Sequence, residues 1–497
     1  MPAQEGPLVV GVDSSTQSTK ALVVDAATGA VVARGQAPHP AGAAAGAGRE
    51  CDPQRWWEAL GEALRQCGAP ARQAAAVSVA AQQHGLVALD TAGRPVRPAL
   101  LWNDVRSAPQ RDRLVAALGG PAAWAERTGS VPSASFTVTK WAWLREHEPE
   151  AAGATAAVRL PHDYLTERLT GEGTTDRGDA SGTGWWARGP ERYDEEVLGL
   201  VGLDAGLLPR VLRPGEAAGT VRDLPGLPLA PGALVATGTG DNMAAALGLG
   251  LRPGQPVLTL GTSGAVYAVS ERRPADPTGV VAGFADARGD WLPLACTLNC
   301  TLAVDRVAAL LGRDREAVEP GGTAVLLPFL DGERTPYLPD ASGLLTGLRH
   351  GTTPGQVLQA AYDGAVFSLL TALGQVLAAG AGEAAGAGEA GEAAGTGDTG
   401  SDAPLLLIGG GARGTAWRET VRRLSGRPVR VPRAGEPAAL GAAAQAAGLL
   451  LEEDPAAVAR RWGQADGPVY EAVPRDEAAW ERVGAALAGA GGLLGRG

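Results

Sequence analysis

Apolar residues run through Leu8-Val9-Val10-Gly11-Val12 and stop at Asp13. They resume at Ala21-Leu22-Val23-Val24, after a turn of hydroxyl and amide side chains from Ser14 to Thr19. A short apolar run bounded by polar turn residues reads as a buried strand. The pattern therefore predicts a hairpin whose tip is lined with hydroxyls. The same arrangement returns at Val257-Leu258-Thr259-Leu260, the turn Gly261-Thr262-Ser263-Gly264, and Ala265-Val266-Tyr267-Ala268-Val269. One such unit in each half predicts a duplicated architecture with a phosphate site between the halves; two unrelated hairpins are the plainer alternative.

Elsewhere strands and helices alternate. Pro53 to Leu64, with Trp56 and Leu60 on one face, predicts an amphipathic helix, and Ala76 to Val79 a strand. Ala233 to Ala236 predicts a strand that passes through Thr237-Gly238-Thr239-Gly240 into Asp241, with a helix from Met243 to Leu249. Arg252-Pro253-Gly254 interrupts the pattern and divides the chain into domains 1–251 and 252–497. Leu405 to Ile408 predicts a strand, Gly409 to Gly411 a tight turn, and Thr415 to Leu424 a helix. Ala438 to Leu451, read as the longest uncharged apolar stretch, predicts a buried helix too short to cross a bilayer. The Ala/Gly-rich acidic segment 378–403 has too little apolar surface to offset its ordering entropy, so an exposed mobile loop is expected.

A chain of 497 residues exceeds one ordinary core, which agrees with two domains. With 45% hydrophobic and 20% charged residues it is globular. A net charge of -11 argues against a general nucleic-acid binder, but not against phosphates held by backbone amides and Mg²⁺. Cys51, Cys67, Cys296 and Cys300 form no C-x-x-C pair, so buried thiols in a reducing cytosol are expected rather than zinc. No basic and apolar leader opens the sequence, so a cytoplasmic protein with no membrane partner is expected.

The chemistry is defined partly by what is missing. Neither lysine, Lys20 nor Lys140, sits in a P-loop, and the protein-kinase, H-E-x-x-H and G-x-S-x-G motifs are absent. Phosphoryl transfer here would rely on carboxylates, backbone amides and Mg²⁺. Asp13 ends a buried strand at the mouth of a hydroxyl turn, where it could hold Mg²⁺ or simply form an Asx turn. Asp241 follows a strand and a glycine turn at a helix start, which suits either a carboxylate aimed at a substrate or a helix cap. Gly409-x-Gly411-x-x-Gly414 formally matches a dinucleotide fingerprint, but Arg427, Arg430 and Arg433 stand where an acidic residue is needed. A nucleotide at a glycine-rich helix start remains open. His84 and the run Trp102-Asn103-Asp104 carry the kinds of group that read sugar hydroxyls, and each is also common without such a role.

In chain order these residues resemble the FGGY family of carbohydrate kinases, most closely its xylulokinase branch. The resemblance rests on Gly11-Val12-Asp13 with the turn to Lys20, Gln83-His84-Gly85, Leu100 to Ser107, Leu160-Pro161-His162-Asp163-Tyr164-Leu165 and Asp179-Ala180-Ser181-Gly182-Thr183. It continues through Gly240-Asp241-Asn242, Leu260 to Gly264, Gly332-Glu333-Arg334-Thr335-Pro336 and Ile408 to Arg413. It implies an α/β fold of two actin-like, ribonuclease H-like ATPase domains with the active site in the interdomain cleft, a sugar-binding N-terminal domain and a nucleotide-binding C-terminal one. The implied reaction is ATP-dependent phosphorylation of D-xylulose to D-xylulose 5-phosphate. Asp241 would be the general base, and Asp13 would place Mg²⁺ and the phosphates. Gln83, His84, Trp102, Asp104 and Asn242 would face the sugar. Ser15, Thr16, Lys20, Gly261, Thr262, Gly410, Gly411 and Ala412 would hold ATP. Sugar and ATP are the expected partners, with a homodimer as one permitted assembly. Gln83 stands where a methionine is usual, which leaves open another ketose or polyol; a sugar-responsive binding protein is the distant alternative.

Overall fold

The computed structural model describes residues 6–39, 43–45, 48–187, 189, 191–381 and 403–494. Of the acidic segment 378–403, residues 382–402 lie outside the described residues. Residues 378–381 form the end of a helix, Pro354–Ala381, rather than a loop. The chain divides into two compact units. One comprises Met1–Leu251, Gly283–Leu292 and Ala434–Ala465; the other comprises Arg252–Ala282, Pro293–Arg433 and Asp466–Gly497.

The sheet of the first unit grows from the opening hairpin. Leu8–Ser14 pairs antiparallel with Ser18–Asp25, which pairs antiparallel with Val31–Pro38. On its other side Leu8–Ser14 runs parallel to Ala76–Ala81, which runs parallel to Leu234–Ala236; Ala217–Thr220 closes the edge antiparallel. Every residue of Leu8–Ser14 is buried, as its unbroken apolar run requires. The amphipathic helix Pro53–Cys67 contributes Trp56, Leu60 and Leu64 to the core shared with Val10, Val12 and Val23. The helix Pro437–Leu451 also lies on this sheet, and the approach is close. A Cβ on Gly11 would stand 2.0 Å from the Ala439 carbonyl oxygen, so only glycine fits. A Cβ on Gly441 would stand 1.8 Å from the carbonyl oxygen of Ala244, in the helix Asp241–Gly248. One Ala/Gly helix therefore locks both the strand that carries Asp13 and the helix that begins at Asp241.

The second unit repeats the plan. Pro256–Leu260 pairs antiparallel with Gly264–Ala268, which pairs antiparallel with Trp291–Thr297. Pro256–Leu260 also runs parallel to Leu405–Ile408, then Val429–Arg430 follows parallel and Val469–Tyr470 antiparallel at the edge. Over these six strands the order and sense match the first sheet, so the two hairpins are related parts of a duplicated topology.

The expectation that Ala438–Leu451 is the longest uncharged apolar stretch is corrected. Residues 364–381 of the 28-residue helix Pro354–Ala381 form a longer uncharged run, and the helix is long and apolar enough to cross a membrane by length and composition alone. Its burial explains that composition: Leu358, Ala361, Tyr362, Ala365, Leu369 and Leu373 fill the core of the second unit. Its one charged residue, Asp363, is held by Gln359 and Arg423. Cys67 and Cys300 are buried as expected, whereas Cys51 and Cys296 are only half-buried; none of the four is in a disulfide.

Candidate active site

Asp241 reaches its place through backbone geometry that only certain residues tolerate. The strand Leu234–Ala236 ends in a turn at Gly238, with φ +77°, where a Cβ would stand 2.7 Å from the Val79 carbonyl oxygen. Gln445 ties this turn down, donating to the Gly238 carbonyl at 3.2 Å and accepting from Ser78 Oγ at 2.9 Å. Thr239–Gly240 then pair with Ala80–Ala81, and the helix opens at Asp241. Gly240 occupies the cap position, so Asp241 does not serve as the cap. Its Oδ1 accepts instead from the amide of Asn242 at 2.8 Å and from Asn242 Nδ2 at 3.0 Å. Burial, and then the negative charge of Asp179, push its pKa up to about 7.

Asp13 lies in the first strand, opposite Lys20 in the hairpin register. It is 6% exposed, and its Oδ1 accepts no hydrogen bond. Burial first, then Asp241 and Glu436, raise its pKa to about 7 against the pull of Lys20. A buried carboxylate oxygen without a donor, among other carboxylates, is a hard-oxygen arrangement that fits Mg²⁺. Lys20 is already paired, its Nζ 2.6 Å from Glu436 Oε2. In the hairpin turn Ser15 is half-buried and closes on the Ser18 carbonyl, donating from its amide at 3.1 Å. Thr16 is exposed, and its Oγ1 accepts from Trp102 Nε1 at 3.0 Å.

At Asp241 the first unit gathers Gln83 and Asn242, and His84 follows Gln83 in the chain. Gln83 Oε1 accepts from Asn242 Nδ2 at 3.0 Å, while the buried Gln83 Nε2 donates to nothing. His84 adopts φ +64°, unusual outside glycine, and stacks on Phe136 with ring centroids 4.9 Å apart. Its Nδ1 lies 2.7 Å from the Gly182 carbonyl oxygen. Asp104 is differently employed: its two oxygens accept from the Arg49 and Arg106 amides and from the Arg106 guanidinium. Arg106 continues to Glu50 at 2.5 Å, and Glu50 to Arg97 at 2.7 Å. These hydrogen bonds outweigh burial and hold Asp104 below the usual carboxylate range. Its carboxylate thus braces the Trp102 loop.

In the second unit the hydroxyl turn and the glycine turn converge. Thr301 donates twice to the Gly261 carbonyl, from its amide at 3.0 Å and from Oγ1 at 2.7 Å, and Thr262 is exposed. A Cβ on Gly411 would stand 2.9 Å from Leu260 Cβ and from Thr301 Cγ2, which fixes Gly410, Gly411 and Ala412 against that turn. Gly410 itself faces open space. Beyond Ala412, an open cleft of about 480 Å³ is lined by Gln359, Arg413, Thr415, Ala416 and Glu419 among others.

Sequence reasoning assigned no role to His162, Asp163, Asp176 and Asp179, which form a buried cluster behind Asp241. His162 Nδ1 lies 2.6 Å from Asp179 Oδ2, and Nε2 lies 3.2 Å from Asp163 Oδ1. Burial alone would lower the His162 pKa, but Asp163 and Asp179 lift it to about 9. The cluster pairs one imidazole with three carboxylates. The available signal was thin: His162 and Asp163 stand among apolar residues in Leu160 to Leu165, but Asp176 and Asp179 lie in a polar Thr/Gly/Ser stretch.

Two sheets of matching order, each opening on a hydroxyl-tipped hairpin, with a carboxylate pair in one unit and glycine turns in the other, define an actin-like sugar kinase. The chain belongs to the FGGY family of carbohydrate kinases, whose N-terminal domain matches residues 8–248 and whose C-terminal domain matches residues 257–449. It is 73% identical over 496 residues to the xylulose kinase of Streptomyces coelicolor, spanning 100% of this chain and 99% of that one. The xylulose kinase of Streptomyces rubiginosus is also 73% identical, over 497 residues and with the same coverage. Among solved structures, the xylulose kinase of Bifidobacterium adolescentis is 36% identical with a TM-score of 0.81, covering 97% of this chain and 99% of that one.

Proposed function

We propose that this protein transfers the γ-phosphoryl group of ATP to the terminal primary hydroxyl of D-xylulose, giving D-xylulose 5-phosphate and ADP in the cytoplasm. The observation that carries this reading is Asp241: a carboxylate at a helix start, oriented by Asn242, next to Gln83 and His84, with a pKa of about 7. Near neutral pH such a group is ionised often enough to accept a proton and basic enough to hold it. Asp241 takes the hydroxyl proton as the oxygen bonds to phosphorus and the bond to the departing ADP oxygen breaks. Asn242, Gln83 and His84 hold the sugar's other oxygens, and Phe136 fixes the plane of His84.

Asp13 would hold Mg²⁺, since its buried Oδ1 accepts no hydrogen bond. When bound, that ion neutralises charge on the phosphates. The Ser15–Thr16 turn, the Gly261–Thr262 turn and the Gly410–Ala412 backbone supply donors to phosphate oxygens. The open cleft beside Ala412 is of a size to take the nucleoside.

The test is ADP release with MgATP and a panel of D-xylulose, D-ribulose, L-ribulose, L-xylulose, glycerol and gluconate. Strong preference for D-xylulose is expected. Preference for another member would move the substrate and point to Gln83 as the cause. No turnover by folded, ATP-binding protein would instead indicate a sugar-responsive binding protein.

A further inference from the structure

In the second unit the helix Thr301–Leu310 starts without a side-chain cap, with Cys300 at the cap position. The first amides of a helix find no partner within it. The Gly261–Thr262 turn supplies the missing acceptors. The Thr301 amide donates to the Gly261 carbonyl at 3.0 Å, and the Leu302 amide to the Thr262 carbonyl at 3.4 Å. The Thr301 hydroxyl adds a second bond to the Gly261 carbonyl, at 2.7 Å. In a planar trans peptide the N–H points opposite to the C=O. Turning the carbonyls of Gly261 and Thr262 onto the helix therefore turns the amides of Thr262 and Ser263 away from it. Thr262 is exposed and Ser263 half-buried, so an anion outside the turn can approach those amides.

The methyl group of Thr301 meets the glycine turn. A Cβ on Gly411 would stand 2.9 Å from Thr301 Cγ2. One side chain thus touches both turns, its hydroxyl holding the first and its methyl backing the second. The start of its helix is itself fixed. Glu333 is 1% exposed; its Oε1 accepts from the Leu298 amide at 2.6 Å, and its Oε2 from the Asn299 amide at 3.2 Å and Asn299 Nδ2 at 3.1 Å. Asn299 Nδ2 also donates to the Gly332 carbonyl at 2.7 Å.

We propose that Thr301 is a positioning residue for ATP: it holds the Gly261–Thr262 turn, amides outward, in register with the Gly410–Ala412 backbone. This rests on the reading that those two turns hold the phosphates. Without the hydroxyl, the Gly261 carbonyl keeps one donor of two and the turn's peptides rotate more freely. ATP must then order the turn as it binds, which lowers its affinity. Gln83, His84 and Asn242, which face the sugar in that reading, lie in the first unit, so sugar affinity is untouched.

The experiment measures Kd for ATP without sugar, Kd for D-xylulose without nucleotide, and KM for each, in wild type, Thr301→Val, Thr301→Ala, Thr301→Ser and Gly410→Asp. Thr301→Val removes the hydroxyl and keeps the shape. It is expected to raise Kd and KM for ATP about five- to tenfold and to leave both values for D-xylulose within about twofold. Thr301→Ser keeps the hydroxyl and should bind ATP within about threefold of wild type, the remaining loss reporting the missing methyl. Should Thr301→Val not fold, Thr301→Ala decides by the same readouts. Unchanged ATP affinity overturns the proposal, and so does an equal loss for ATP and D-xylulose, which is what a general packing defect gives. Thr301→Ser binding ATP as poorly as Thr301→Val also overturns it. An added Cβ at Gly410 meets nothing within 4 Å, so Gly410→Asp sets a carboxylate beside the phosphates and should weaken ATP about tenfold or more. If it does not, the turns do not hold ATP and both readings fall; if it does while Thr301→Val binds ATP normally, only this proposal falls.

Discussion

At the scale of single residues, the site is a set of carboxylates held where water would not leave them. Asp13 and Asp241 both titrate near 7 because burial penalises their charged forms and each faces another acid. Asp241→Asn should lower kcat by about 10²–10⁴-fold with the circular-dichroism spectrum unchanged; a loss below tenfold would remove Asp241 from the role. The same burial has a stability consequence. The folded pKa of Asp13 lies above that of an unfolded aspartate, so its contribution is full in acid and lost as pH climbs from about 4 to about 7. Asp13→Asn should therefore raise the melting temperature in EDTA at pH 8 by a few degrees, with the gain shrinking towards pH 5. Equal melting curves at both pH values would mean that the charge is not strained. The sequence showed where Asp13 and Asp241 stand, because strand ends and glycine turns are local patterns. It did not show that Asp104 is neutralised by Arg106, two residues on, because sequence does not record which way neighbouring side chains turn; nor that Lys20 is paired with Glu436, because that partner lies in a distant segment.

At the scale of elements, small residues set the geometry. Unbroken apolar runs revealed the hairpin strands and the Pro437 helix, and one-sided apolar spacing revealed the Pro53 helix, because burial leaves a trace in composition or in period. The spacing missed Pro354–Ala381 as a continuous helix, since that element is apolar nearly all round and has little period to read. Nor does a periodicity distinguish a glycine that merely fits from one that is required. Gly441→Ala should lower the melting temperature by several degrees and reduce activity with it, because its Cβ would stand 1.8 Å from the Ala244 carbonyl and push the Asp241 helix away. Gly374→Ala is the control: it lies in the Pro354–Ala381 helix with nothing within 4 Å of the added Cβ. It should leave activity intact and hold or raise the melting point. Equal losses in both variants would show that the close approach at Gly441 is not special.

At the scale of the whole molecule, two copies of one sheet plan divide the labour, with the acid pair in one and the glycine turns in the other. The duplicated plan could be read from the two hairpins; the return of Ala434–Ala465 to the first unit could not, because nothing local records which sheet a helix covers. A fragment ending at Leu251 lacks that helix and leaves Gly11 and its neighbours bare, so it should be recovered insoluble. Coexpression with residues 434–465 should restore soluble protein, and a soluble, cooperatively melting 1–251 fragment would contradict this account. The close seat of the Pro437 helix on Gly11 also orders events on the ribosome. The first residues to emerge cannot complete their core until nearly the last have been made, and the intervening 252–433 take about 10–40 s to synthesise. Throughout that interval the nascent first unit carries an open apolar face, which makes it the segment on which chaperones have most reason to act.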